Sequence, residues 1–382
     1  MAAYILRRLL LIIPTLLGIM LLNFAIVQFA PGGPVERMVM QIEEAGQGGG
    51  GEAGGGTAAS GGQGEGGYLG RRGIDPDLIA DLEAYYGFSR IVCKEGYTGP
   101  KTAVAEECTK EAIPVWERFG IMMWQYLRFD FGDSFTKKGT VVDNIVQRLP
   151  VSISLGLWAM LIAYLVSIPL GIRKAVRDGS TFDTTTSGVI VAAYALPGFL
   201  VPVMLLVLFA GGSYWQWFPL KGLVSEGWED MSTIDQIKDY FWHITLPVIA
   251  MSISGFATLT LLTKNSFLDE IKKQYVMTAR AKGLSERRVL YGHVFRNAML
   301  IVISTLPAAF VGIFMAGSIF VERVFSLDGL GLLGFNAVVD RDYPIVFATL
   351  YIFGLIGLVL KLITDITYVL IDPRIDFERR EG

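Results

Sequence analysis

The chain has 382 residues, 52% of them hydrophobic and only 18% charged, and a mean hydropathy of +0.47. That balance is too apolar for a soluble domain of this length and points to a membrane protein. The net charge of -3 argues against a nucleic-acid partner, because no basic face exceeds what membrane orientation needs.

Six stretches, near residues 9–30, 151–172, 186–211, 244–263, 298–320 and 346–371, reach the roughly 20 apolar residues a spanning helix needs. Windows this long favour helices over a barrel, so the expected fold class is all-α, a membrane bundle of six transmembrane helices. Residues 1–30 hold a basic flank, Arg7 and Arg8, and the first span. The run imitates a secretory signal, but it exceeds the roughly 7–15 residues of such a core and reads as an uncleaved anchor. Pro14, Asn23 and Gln28 are tolerable there where neighbouring helices satisfy the groups they free; the alternative is that Asn23 and Gln28 line a polar pathway.

Residues 31–150 form the one large region expected outside. Residues 46–67 are Gly-rich with almost nothing to bury, so they are expected to be flexible. They form no phosphate loop, because Gly-x-x-x-x-Gly-Lys-Ser/Thr occurs nowhere in the chain. From Asp75-Pro76 a helix-like segment runs towards Gly87. Cys93 and Cys108, the only cysteines, have fourteen residues between them. Free thiols and a disulfide are both open; the bridge would restrain this loop by about 3 kcal/mol in an oxidising compartment. No His/Cys cluster accompanies them, so no metal site is expected. Residues 116–135, rich in Trp, Phe, Tyr and Arg, suit a helix lying along the outer membrane surface.

Residues 151–371 carry the remaining spans, with Pro169, Pro197, Pro202 and Pro307 marking kinks. Between two of them lies the basic segment 264–297. Its Lys264, Lys272, Lys273, Arg280, Lys282, Arg287, Arg288 and Arg296 outnumber Asp269, Glu270 and Glu286, which assigns it to the cytoplasmic side. Arg173, Lys174 and Arg177, and the tail 372–382 with Arg374, Arg379 and Arg380, agree, and place both termini in the cytoplasm. The alternate loops 212–243 and 321–345 are acidic, as outside loops should be. Within the basic segment, small Ala279 and Ala281 permit close approach of a partner, and Gly283 lets the chain turn between two short helices. Lys282, Arg287 and Arg288 would meet acidic or polar partner groups; an ordinary amphipathic loop serving orientation alone is the plainer reading. In residues 321–332, Gly329 and Gly331 allow a tight turn back towards the membrane, and Arg341-Asp342-Tyr343-Pro344 starts the last span. Lys361 and Asp365, four residues apart on one helix face, are positioned to pair.

The string YVMTARAKGLS, residues 275–285, resembles the coupling loop of permease subunits in ATP-driven (ABC) importers, in the form found in peptide importers. The widely quoted Glu-Ala-Ala form of that motif is met only at Ala279 and Gly283, and the tail carries His293 and Arg296-Asn297 instead. Residues 321–332 resemble the family's outer gate segment, usually Glu-x-Val-Phe-Ser-x-Pro-Gly-Leu-Gly, with Asp328 where Pro is common. FDFGDSF, LPVSISLGLW, FPLKGLVS, HVFRNAML and DPRIDF extend the likeness over nearly the whole chain. It is strongest for the Yej-type branch, which serves bacterial import of oligopeptides and the peptide-nucleotide antibiotic microcin C. The insert carrying Cys93 and Cys108 departs from what that branch leads one to expect.

The resemblance implies a six-helix permease of the binding-protein-dependent (MetI-like) type in a bacterial inner membrane. Its partners would be a second homologous permease, two ATPases, a periplasmic peptide-binding protein, the peptide and membrane lipid. The chain itself would hold no cofactor and catalyse nothing; ATP and Mg belong to the ATPases. Thr278, Ala279, Arg280, Ala281, Lys282, Gly283, Leu284, Ser285, Glu286, Arg287 and Arg288 would couple to the ATPase. Glu322, Phe325, Gly329, Gly331, Asp342 and Tyr343 would form the outer gate and substrate path. Permeases for dipeptides, glutathione or nickel share these motifs. A secondary transporter would use intramembrane charges and need no long basic loop. An intramembrane hydrolase would need a nucleophile and base within the spans, where neither His243 nor His293 is placed.

Overall fold

The computed structural model describes residues 2–29, 80, 81, 83, 84, 89–93, 108–211, 214–306, 308, 309 and 319–371. The glycine-rich tract, most of the helix-like segment after Asp75 and the basic tail lie outside the described residues. The chain divides into two compact units, residues 17–132 and residues 1–16 with 133–382. Residues 133–150, grouped above with the outer region, thus pack with the main bundle.

In the smaller unit the structure adds a feature that an all-helical reading omits. β1 (Ser89–Cys93) and β2 (Cys108–Ala112) form an antiparallel pair in the register Ser89↔Ala112 to Cys93↔Cys108. Cys93 and Cys108 are disulfide-bonded, with Cα atoms 3.9 Å apart, and close the last rung of the ladder. The strand Ser-Arg-Ile-Val-Cys alternates in burial, the pattern of a half-covered strand. Arg90 bonds Glu117 at 2.6 Å and so links the hairpin to α2 (Val115–Leu127).

The helix α2 stops at Leu127, short of the expected residue 135. Phe129 (φ +57°) and Gly132 (φ +73°) turn the chain, and Tyr126 packs edge-on against Phe131, both buried. Trp116, 78% exposed, and the exposed Ile121, Trp124 and Leu127 leave an apolar face suited to the lipid boundary. Phe119 of α2 meets Phe24 of α1 (Ala2–Phe29) at 5.3 Å.

In the larger unit, α3 (Val141–Val146) leads into α4 (Leu149–Val176), and α5 (Thr181–Ala195) and α6 (Leu200–Phe209) follow. α7 (Thr233–Ile271) continues into α8 (Gln274–Ala281), α9 (Glu286–Val289), a π turn at Leu290–Val294 and α10 (Phe295–Ser304). Last come α11 (Ile319–Val324), α12 (Leu330–Val339) and α13 (Tyr343–Ile371). Three helical stretches, Ile5–Ile26, Val141–Val176 and Tyr343–Thr367, are long and apolar enough to cross a membrane. Two bent pairs raise the number to five among the described residues; the expected span 298–320 falls partly outside them.

The stretch 186–211, expected as one straight span, is instead bent by 101° between α5 and α6. Pro197 is the cause: the residue before proline is driven out of helical geometry, and Leu196 sits at φ -71°, ψ 130°. α7 bends by 51° between its halves Thr233–Ile253 and Gly255–Ile271.

The helices α4 and α7 form the bundle's backbone. Lipid gives no hydrophobic drive between helices, so close approach through small residues and interhelical hydrogen bonds must hold them. Ser252 Oγ donates to Ala159 O at 3.1 Å and Ser167 Oγ to Phe256 O at 3.2 Å. At Gly171 a Cβ would lie 2.6 Å from Thr263 Cβ and 2.8 Å from Thr260 O. Gly171→Ala is therefore expected to cost about 1–3 kcal/mol as an overpacked contact. Gly188→Ala, where a Cβ meets open space, should be neutral or slightly stabilising by helix propensity. Thermal unfolding of the two variants in detergent distinguishes the sites; equal melting temperatures would contradict the tight contact.

Candidate functional site

A cavity of about 700 Å³ opens within the larger unit beside α4 and α7. Gly156, Ala159 and Ala163 on α4 recur at helical spacing and expose backbone-level wall. Gly198 and Phe199 from the α5–α6 bend, Met251 and Thr258 on α7, and Phe320 complete much of the lining. Among the described residues no charged side chain lines it; Ser252 and Thr258 are among its polar groups, as are Tyr164 and Thr305, hydrogen-bonded to each other at 3.1 Å. The motif reading missed these wall residues. Their signal was weak: small residues three and four apart on α4 and a breaker at Pro197-Gly198.

The residues expected to form the outer gate are placed beside that cavity, and none of the six lines it. Glu322 is fully buried; its Oε1 accepts from Ser152 Oγ at 3.0 Å and its Oε2 from Leu332 N–H at 2.6 Å. Ser152 Oγ in turn accepts the Leu330 N–H at 2.8 Å. Two of the free N–H groups that begin α12 are thus satisfied by α4 and α11, and the carboxylate lies at the positive helix end. This explains both glycines. A Cβ at Gly329 would fall 2.3 Å from Glu322 Cδ, and one at Gly331 3.2 Å from Oε2.

The αL residues Ser326 (φ +52°) and Arg341 (φ +51°) turn the chain on either side of α12, and Asp328 pairs with Arg148 at 2.8 Å. Asp342, buried, accepts from Ser134 Oγ at 2.5 Å and from Thr136 Oγ1 at 2.8 Å. Phe325 points into the core and Tyr343 stacks on Phe347 at 5.9 Å. The segment is a knot tying α12 to α4, and its link to the cavity runs through Phe320 and Val321.

At the opposite end of α4 sits the basic segment. Val276 and Ala279 of α8 are buried in a core with Ile172, Ala175, Phe267 and Val294. That corrects the expectation for Ala279: its small side chain fits the protein's own core, and the face left for a partner is Met277, Thr278, Ala281 and Lys282, all exposed. Gly283 (φ +79°) accepts the left-handed turn out of α8, and Ser285 precedes α9. Arg280 bonds Glu286 at 2.9 Å across this turn, and Arg287 and Arg288 are exposed. Tyr275 donates to the Glu270 carboxylate at 2.6 Å; burial first, and that anion second, raise its pKa above the ordinary phenol value.

At this same end of α4 lies a charged cluster that the sequence showed only as flanking basic residues. Lys174, with no exposed side-chain surface, bonds Asp183 O at 2.8 Å, Thr186 Oγ1 at 2.8 Å and Ser187 Oγ at 2.7 Å, and lies 3.0 Å from Asp183 Oδ1. Lys264 of α7 bonds Asp183 Oδ2 at 2.7 Å and Asp178 at 2.9 Å. Breaking such a buried pair by removing one partner typically costs about 3–5 kcal/mol.

Two further placements differ from expectation. Asp365 pairs with Arg8 of α1 at 3.2 Å, where Lys361 was the expected partner. His243 lies inside α7, buried, its Nδ1 2.8 Å from Asp239 O. Among the described residues no group of His, Cys, Asp and Glu is arranged to hold a metal.

Residues 167–377 match the family model of the binding-protein-dependent transport system inner membrane component. The chain belongs to this family. It is 56% identical to the peptidoglycan transport system permease protein YejB of Agrobacterium fabrum and 53% identical to the inner membrane ABC transporter permease protein YejB of Escherichia coli O157:H7, each over 100% of both chains. To the dipeptide transport system permease protein DppB of Escherichia coli it is 31% identical over 98% of this chain and 99% of that one. Within the family it is a permease of the ABC peptide importer branch, whose members sit in the inner membrane and leave ATP hydrolysis to other subunits. The region of Cys93 and Cys108, taken above as a departure, falls within the aligned length of both YejB proteins.

The Glu322 knot yields a prediction. Gly329→Ala should push the carboxylate off the start of α12 and lower stability by about 1–3 kcal/mol. Gly334→Ala, with open space around its Cβ, should leave the melting temperature unchanged. Detergent thermal unfolding measures both.

Proposed function

We propose that this chain forms half of the membrane pathway of an ATP-driven importer of oligopeptides. On this reading the basic end faces the cytoplasm with both termini, and α8 and α9 dock a partner ATPase. The observation that carries it is the two-sided build of α8: Val276 and Ala279 are sunk in the core shared with α4 and α7, while Met277, Thr278 and Ala281 stand outward one helical turn apart. A helix seated this way moves with the spans it is packed on, so closing of the ATPases would be felt at the cavity wall. ATP and Mg are held by the two ATPases, and chemistry stays with them.

A second, homologous permease completes the pathway. Phe320, 62% exposed at the cavity, and the exposed Phe199 leave the wall one-sided, as half of a shared channel would be. An extracytoplasmic binding protein delivers the peptide to the Glu322–Asp342 end. Ligand closing of the ATPases and peptide release to the cavity are then linked equilibria, each biased by the other.

For the substrate, relatives named for peptidoglycan, dipeptide and oligopeptide transport support a peptide cargo; on this reading peptide-nucleotides of the microcin C kind belong to the same class. A cavity of about 700 Å³ with no charged lining among the described residues suits cargo chosen by size and backbone rather than by side-chain charge.

The test is reconstitution of the chain with a second permease, ATPases and binding protein, followed by ATP-dependent uptake of labelled oligopeptides and muropeptides. Uptake by the wild type and its loss in Gly283→Val, where a β-branched residue at φ +79° is strained by about 1–3 kcal/mol, are expected at unchanged membrane levels. Uptake driven by an ion gradient without ATP, or full transport by Gly283→Val, would contradict the reading.

A further inference from the structure

The buried cluster of Lys174, Asp183 and Lys264 lies where three elements of different duty meet. Lys174 ends α4 and Lys264 belongs to the last turns of α7. The neighbours of both, Ala175 and Phe267, belong to the core that seats Val276 and Ala279 of α8. The same two helix ends that hold the docking helix therefore hold Asp183.

Asp183 stands in the first turn of α5, where Ser180 Oγ accepts its N–H at 3.3 Å and the helix dipole favours its charge. Its Oδ2 also accepts the Gly179 N–H at 3.2 Å. Further along, Ile190 is the buried anchor of α5, while Val189, Val191 and Tyr194 are exposed. The helix then ends at Leu196, and the bend that follows supplies Gly198 and Phe199 to the cavity wall. The helix is 15 residues long, so its Asp183 end and the bend are about four turns apart on one element.

We propose that Asp183, clasped by Lys174 and Lys264, is the positioning residue that ties the wall-forming α5–α6 bend to the docking helix α8. The physical ground is directional. Apolar packing allows small slips at little cost, whereas the Lys264 ammonium donates to Asp183 Oδ2 at 2.7 Å and the Lys174 ammonium lies 3.0 Å from Oδ1, so each carboxylate oxygen faces a fixed cation. Lys174 adds three further acceptors on α5, so the end of α4 and the start of α5 move as one body. Lys264 brings α7 to the same point, and α7 runs on through Lys272 and Lys273 into α8. This inference rests on the coupling reading of α8.

The experiment uses the full reconstituted importer and reads peptide uptake per ATP hydrolysed. Lys264→Met and Asp183→Asn are expected to keep subunit stoichiometry and ATP hydrolysis near wild type while uptake per ATP falls roughly tenfold, the scale of a lost coupling energy. Lys264→Arg, which retains the charge, should restore the ratio. Where Asp183→Asn fails to insert, Lys264→Met carries the test, because it leaves the Lys174–Asp183 pair in place. An unchanged ratio in Lys264→Met, or hydrolysis and uptake falling together, would overturn the clasp and leave the importer reading standing. A wild-type complex without ATP-dependent uptake would overturn both.

Discussion

The contact between α4 and α7 is the constraint on which the rest of the larger unit depends. In lipid two helices gain nothing by hiding apolar surface from each other, so they must touch closely enough for dispersion and hydrogen bonds to hold. Gly171 against Thr260 and Thr263, and Ser167 and Ser252 bonding backbone carbonyls across the pair, provide that closeness. Everything with a candidate role hangs from these two helices. The Glu322 knot joins one end of α4 through Ser152, helix α8 rests on the other through Ala175, and the cavity wall lies along both.

The two ends are built by different physics. At the Glu322 end a buried carboxylate caps a helix start and glycines make room for it, which gives a stiff, directional joint. At the basic end an apolar core seats α8, and the polar contacts sit around it, at Arg280–Glu286 and Tyr275–Glu270. Ala279 is part of that seat, buried between α8 and the core.

Much of this was legible in the chain. Spans show because roughly 20 apolar residues in a row have few soluble explanations. The two motif segments show because their glycines have physical duties, Gly283 a left-handed turn and Gly329 room for the Glu322 carboxylate. What failed to show is instructive. Ala279 gives no sign in the string of which face it takes, because burial of a small residue is decided by the neighbour it meets. The Lys174–Asp183–Lys264 cluster joins residues up to 81 positions apart, so no local pattern announces it, and Lys174 looks like any flanking base. The sharp bend at Pro197 was visible as a kink, but its 101° angle depends on what α5 and α6 pack against. The β1–β2 hairpin was hidden because its strands are five residues each within a segment that reads as loop.

The central claim is that the outward face of α8 meets an ATPase. The most direct measurement places a photo-crosslinking side chain at Met277, at Ala281 and, as the contrast, at Tyr214 near the other end of the larger unit. The account predicts crosslinks to the ATP-binding subunit from Met277 and Ala281 and none from Tyr214. Crosslinks to that subunit from Tyr214, or none from either α8 position in a transport-competent complex, would contradict it.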